Sequence, residues 1–194
     1  MLNRQAKVLR AGQIRAVLDH LTRTRHPTRN RVIFLLSLRA GLRAKEIAAL
    51  EWRMVTDAEN NIGDVIRLTD AAAKGRSGGV VPMSAELRSA LEALRQITPV
   101  AMGTTRVIRT ERSPTTSAQV IINMFQEWYS ALGFDGCSSH SGRRTFITMA
   151  ARNIGRVGGS LRDVQALARH GSLAMTQRYI EVESDAMKRV VDAW

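Results

Sequence analysis

The stretch at residues 31–40, RVIFLLSLRA, limits the fold more than any other part of the chain. Ile33, Phe34, Leu36 and Leu38 make it a strongly apolar helix, and such a helix belongs inside a core with other helices laid around it. Residues 12–24 place Ile14, Val17, Leu18 and Leu21 at helical spacing, and residues 118–128 form a second apolar run. Both apolar runs read as core and neither as a cofactor box. With 194 residues and 44% hydrophobic content, the chain can build that core without a metal or disulfide staple. Length favours one domain, and no linker divides it.

The remaining elements follow from turn chemistry. Residues 25–30 (RHPTRN) read as a polar turn in which Pro27 breaks the first helix. Gly41 supplies a turn, and residues 43–50 resume a short helix. A turn at 57–63 leads into the strand DVIRLT, with Val65 and Arg67 opposite Ile66 and Leu68. AAAKGRSGG at 71–79 reads as a hairpin loop and VVPM at 80–83 as its return strand. Ser84 caps a helix running to about Ile97, and 98–118 is loop-like. Helices follow at 118–132, 140–154 and 160–169, with RVGG at 156–159 as a loop and 172–181 as a short helix or turn. The expected class is therefore mainly α with a small antiparallel β-hairpin, an α+β fold.

Charge points to a partner. Lys and Arg number 29 against 17 Asp and Glu, a formal net charge of +12. A polyanion suits so basic a globular chain, with nucleic acid first among candidates. Only Lys7, Lys45, Lys74 and Lys188 are lysines, and the rest is arginine, whose planar fork can grip a phosphate through two parallel hydrogen bonds. Biased base composition would give the same preference. A single cysteine, Cys137, excludes a disulfide framework and fits a reducing cytoplasm. No apolar run approaches the ~20 residues that span a bilayer, and MLNRQAKVLRAGQIR lacks the apolar stretch of a secretory signal. The expected location is cytoplasmic, on the bacterial nucleoid when bound to DNA.

The rare residues carry the chemistry. H-S-G-R-R at 140–144 sets His140 and Arg143 three apart, on one helical face. GLRAKEI at 41–47 puts Arg43 at a helix start, and Lys74 sits in the Gly/Ser loop between two strands. His170 is followed nine residues later by Tyr179. Taken singly, each has an ordinary reading: a surface arginine, a capping or turn histidine, an interfacial tyrosine, a solvated lysine. Glu46 has no catalytic part, and either orients Arg43 or pairs with a neighbour.

In this order, G-L-R-x-x-E-I, a hairpin lysine before V-V-P, H-x-x-R, then H with T-Q-R-Y, the set resembles the catalytic domain of the tyrosine recombinase (phage integrase) family, over about residues 10–190. The resemblance implies the family's catalytic-domain fold and a site-specific recombinase that cleaves and rejoins DNA through a 3′-phosphotyrosine, without metal, ATP or cofactor. Tyr179 would be the nucleophile. A phenol with a pKa near ~10 is a poor nucleophile at neutral pH, and surrounding cations favour its phenolate. Arg43 and Arg143 would hold the non-bridging oxygens and offset the charge of the transition state. Lys74 would protonate the leaving 5′-oxygen, His140 would assist proton transfer at the tyrosine, and His170 would donate a hydrogen bond to the scissile phosphate.

Some features depart from the family pattern. The family's usual N-terminal clamp domain is expected to be absent, a layout similar to the short invertases that switch fimbrial promoters. A-R-H-G-S at 168–172 replaces L-G-H-x-S, so Arg169 stands where many members have glycine. The RVGG loop lengthens the link after the H-x-x-R helix, and Arg76 lies near Lys74. The tail at 185–194, with Met187, Val190, Val191 and Trp194 on one face, suits docking on a neighbouring subunit or on its own domain. The implied partners are double-stranded DNA, a homotetramer assembled on it, and an accessory protein in place of the clamp. Rival readings are a nicking-closing topoisomerase with the same residues and a non-catalytic DNA-binding regulator. A metal-dependent nuclease is disfavoured, because no Asp/Glu cluster has ligand spacing.

Overall fold

The first helix, α1 (Ala11–Thr22), lies against α2 (Pro27–Ala40), the apolar helix at the centre of the core. The structure is a computed structural model and describes residues 6–73, 78–98, 106–111, 113–180 and 192. It divides into two compact units, Met1–Phe146 and Ile147–Trp194.

In the first unit, Pro27 begins α2 at its first turn. This corrects the expectation that 25–30 is a turn with the helix starting at 31. The first N–H groups of a helix have no intrahelical partner, so a proline there gives up nothing, and its fixed φ suits the helix. Val32 through Leu38 are buried on every side. A hydrogen bond from Leu42 N–H to the Leu36 carbonyl (3.0 Å) closes the helix over Gly41, which adopts φ 63°. The chain continues through α3 (Ala44–Ala49) to a hairpin of β1 (Val65–Leu68) and β2 (Gly79–Pro82). These pair antiparallel, with Ile66 opposite Val81 and Leu68 opposite Gly79. Ile66, Leu68 and Val81 face inward, as the alternation required.

Two further helices complete this core. In α4 (Ala85–Ile97) the Ser84 hydroxyl accepts the Leu87 N–H, and Leu87, Leu91 and Leu94 are buried against α2. In α5 (Ala118–Ala131) the Ser117 hydroxyl accepts the Val120 N–H. Phe125 there centres an aromatic cluster, 6.5 Å from Phe34, 5.2 Å from Trp128 and 5.9 Å from Tyr129 by ring centroids. Within the loop-like 98–118 region, Val107 and Ile108 are buried and Arg106 bridges to Glu51.

The helix α6 (Ser141–Asn153) contains the boundary between the units. In the second unit, a 3-10 turn at Ile154–Val157 takes up part of the expected RVGG loop. Then come α7 (Leu161–Ala168) and the short α8 (Leu173–Gln177), which pack on each other. The unit buries Ile147, Val164 and Ala168. The predicted tail helix at 185–194 lies outside the described residues apart from Asp192. No helix among the described residues is long and apolar enough to cross a membrane.

Candidate active site

Arg43 stands immediately before α3, in extended conformation, where its carbonyl accepts the first helical hydrogen bond from Ile47 N–H. Glu46, one turn on, turns back to it. One carboxylate oxygen accepts the Arg43 backbone N–H at 2.8 Å, and the other binds the Arg43 guanidinium at 2.9 Å. Glu46 is fully buried, whereas the Arg43 side chain keeps 20% of its surface exposed. A buried carboxylate must be paired to remain charged, and here the pairing also fixes the direction of the arginine. Sequence reasoning left Glu46 between orienting Arg43 and pairing elsewhere; the structure gives it to Arg43.

Arg143, in the first turn of α6, is buried at 4% exposure and donates from Nη1 to the Gly41 carbonyl, two residues before Arg43. Three close fits hold this contact. A Cβ on Gly41 would lie 2.6 Å from the Phe146 ring, and one on Gly142 would lie 2.5 Å from Ser37 Oγ. Thr145 Oγ1 accepts the Leu9 N–H at 2.8 Å. The α2–α3 turn and the start of α6 thus meet at backbone distance, and Arg43 follows two residues after the Gly41 carbonyl that Arg143 binds. His140 precedes α6 and is exposed; its N–H donates to Ser138 Oγ (3.3 Å) and its carbonyl accepts Arg144 N–H. Lys74 lies outside the described residues. Four residues later in the sequence, Gly78 N–H donates to Asp70 Oδ1 at 2.9 Å.

The second unit places His170 and Tyr179 together. Asp163 caps α7 by accepting the Ser160 N–H (2.7 Å) and hydroxyl (2.8 Å), and these bonds hold its carboxyl below the usual range. The helix ends at Arg169, which adopts φ 50°, ψ 48°, a left-handed geometry that favours glycine. The next residue, His170, is buried. Its backbone N–H donates to the Gln165 carbonyl (3.1 Å) and its carbonyl accepts from Gln165 Nε2 (3.1 Å). Its Nδ1 lies 3.0 Å from Thr176 Oγ1, and its ring stacks on Tyr179 at 5.4 Å between centroids, 28° from parallel. Tyr179 N–H donates to the Thr176 carbonyl (3.0 Å), and Thr148 Oγ1 donates to the Tyr179 carbonyl (3.3 Å). The structure therefore gathers the expected residues in two groups, Arg43 with Arg143 and His170 with Tyr179. Thr176 is one the sequence reading did not single out.

Among the described residues no group of three His, Cys, Asp or Glu side chains could hold a metal ion. The profile of the phage integrase family matches residues 7–185, spanning both groups. The chain belongs to the phage integrase family. Within it, the chain is 30% identical over 166 residues to the tyrosine recombinase XerC of Rhizobium meliloti (strain 1021), covering 84% of this chain and 49% of that protein. It is 27% identical to the XerC of Brucella melitensis biotype 1, covering 84% and 50%. The chain spans about half the length of the curated relatives it matches. Among solved structures it is similar to the XerA recombinase, with a TM-score of 0.76 and 20% identity, over 96% of this chain and 64% of that one. It is also similar to the XerH site-specific recombinase bound to difH substrate, with a TM-score of 0.71 and 17% identity, over 100% and 56%. The mainly helical family fold with a small two-stranded sheet is thus the one expected from the sequence.

Proposed function

We propose that this chain is the catalytic domain of a site-specific DNA recombinase that breaks and rejoins strands through Tyr179. The observation that supports it most is the stacking of His170 on Tyr179, at the end of a chain whose family relatives are tyrosine recombinases. In this reading the phenol oxygen attacks a DNA phosphodiester, forming a 3′-phosphotyrosyl bond and releasing a 5′-hydroxyl. The energy of the broken bond is kept in the new one, so rejoining needs no ATP. Arg43, aimed by Glu46, and Arg143, held at Gly41, supply the positive charge that stabilises the transition state. His170 donates to a phosphate oxygen, His140 assists proton transfer at the tyrosine, and Lys74 protonates the leaving oxygen.

Double-stranded DNA is the proposed partner, in keeping with the +12 charge and with a XerH relative solved on difH. The working form is a homotetramer assembled on two sites, with an accessory protein or further segment gripping the opposite face of the duplex. The test uses nicked duplexes that on cleavage lose the short fragment bearing the new 5′-hydroxyl, drawn from a random-sequence library and from difH. Incubation in EDTA is expected to trap a covalent protein–DNA adduct. No adduct from any duplex would refute the reading. Pairing of two bound sites would then mark a recombinase, and relaxation of supercoils without pairing a topoisomerase.

A further inference from the structure

Thr176 sits where it can decide which nitrogen of His170 carries the proton. It is fully buried, its hydroxyl is 3.0 Å from His170 Nδ1, and its carbonyl takes the Tyr179 N–H at 3.0 Å. One residue therefore touches both the imidazole and the backbone of the tyrosine stacked on it. With Nδ1 on Thr176, a hydrogen bond from the ring to a substrate has to come from Nε2. A neutral imidazole has one N–H, and a threonine hydroxyl can donate or accept. If Thr176 accepted from Nδ1–H, Nε2 would present a lone pair to an anionic phosphate oxygen. Protonating both nitrogens instead would place a cation on a residue only 7% exposed, at a desolvation cost. Donation by the hydroxyl avoids both.

We propose that Thr176 is a positioning residue whose hydroxyl donates to Nδ1 and so holds His170 as the neutral Nε2–H tautomer, ready to donate to a phosphate oxygen. Both the phosphate role and the choice of tautomer rest on the recombinase reading above, while the tautomer can be measured without DNA. The Gln165 bonds at both ends of the His170 backbone keep the ring at the right height for this contact. Thr148, on the Tyr179 carbonyl, holds the other partner of the stack.

The test is ¹⁵N NMR of the full chain labelled at histidine, recorded well above the ordinary histidine pKa of ~6.5 so that the ring is neutral. His170 is assigned by its loss in His170→Gln. The wild type is expected to show an unprotonated Nδ1 and a protonated Nε2. Thr176→Ser, which keeps the hydroxyl, is expected to match it, and Thr176→Val to show a mixture of tautomers. Adduct formation on the trapping duplexes should fall roughly tenfold or more in Thr176→Val and stay within about threefold of wild type in Thr176→Ser. A protonated Nδ1 in the wild type overturns the proposal, as does a serine variant that behaves like valine or a valine variant that matches wild type. If Thr176→Val does not fold, the wild-type and serine spectra still decide it. Absence of adduct in the wild type, with the Nε2–H spectrum intact, would refute the recombinase reading and leave the tautomer assignment standing.

Discussion

Glu46 holds Arg43 at two points, its guanidinium at 2.9 Å and its own backbone N–H at 2.8 Å, from a carboxylate with no exposure to solvent. Breaking a buried ion pair from one side costs roughly 3–5 kcal/mol, and the partial exposure of Arg43 puts this pair at the low end. Glu46→Ala should lose about 3 kcal/mol, a fall in Tm of about 6–12 °C for a chain of this size. Glu46→Gln, which keeps acceptor and shape, should lose less. Thermal unfolding followed by circular dichroism reads both; a Glu46→Gln loss as large as that of Glu46→Ala would show that the charge alone carries the effect and that shape and acceptor add nothing, contrary to this expectation.

Gly41 meets two demands, a left-handed φ of 63° and a Phe146 ring 2.6 Å from where a Cβ would stand. The left-handed conformation costs a non-glycine residue about 1–2 kcal/mol, and overpacking adds a similar amount. Gly41→Ala is expected to lose about 2–4 kcal/mol in urea unfolding. Adding Phe146→Leu should recover the packing part and leave the backbone part. Because Gly41 also presents its carbonyl to Arg143, adduct formation should fall in the single variant.

Arg169 offers a cleaner reading of backbone strain. Alanine and glycine both remove its side chain, so they differ only in how they tolerate φ 50°. Arg169→Gly should be more stable than Arg169→Ala by about 1 kcal/mol, the reverse of their order in a helix interior. Equal stabilities would mean that the left-handed end of α7 relaxes.

Tyr129 gives a pH prediction. Burial, with the nearby Cys137 adding to it, raises its pKa above the usual 10.0. Both states hold the proton below pH ~10. Above that the unfolded chain releases it first, so the folded chain loses stability as pH rises toward the raised value. The hydroxyl also has no hydrogen-bond partner among the described residues. Tyr129→Phe should therefore be at least as stable as wild type at pH 7 and lose less between pH 10 and 12, as measured by urea midpoints. A parallel decline in both proteins would contradict this.

Much of this was legible in the chain. The apolar 31–40 run, the Ser84 cap and the Ile66/Leu68 alternation fix their elements through local periodicity and turn chemistry, which act over a few residues. The candidate site residues came instead from the resemblance of the ordered Arg, Lys, His and Tyr motifs to the tyrosine recombinase family. What escaped depends on contacts distant in sequence or on a choice between two local meanings. Pro27 could end one helix or begin the next, and the first-turn position decided it. Gly142 reads as one more small residue until Ser37, 105 positions away, lies against it. Thr176 sits inside T-Q-R-Y as an ordinary helix residue, and only the fold brings His170 Nδ1 to its hydroxyl. Glu46, three residues after Arg43, carried the spacing of a capping glutamate, a local signal available from the start.

The central claim is that Tyr179 makes the covalent bond to DNA, and the chain contains just one other tyrosine, the buried Tyr129. The direct measurement is mass spectrometry of the trapped adduct after nuclease and protease digestion. A residual nucleotide on the peptide carrying Tyr179, with no adduct from Tyr179→Phe, is the predicted result. A nucleotide on any other residue, or undiminished adduct from Tyr179→Phe, would contradict the account.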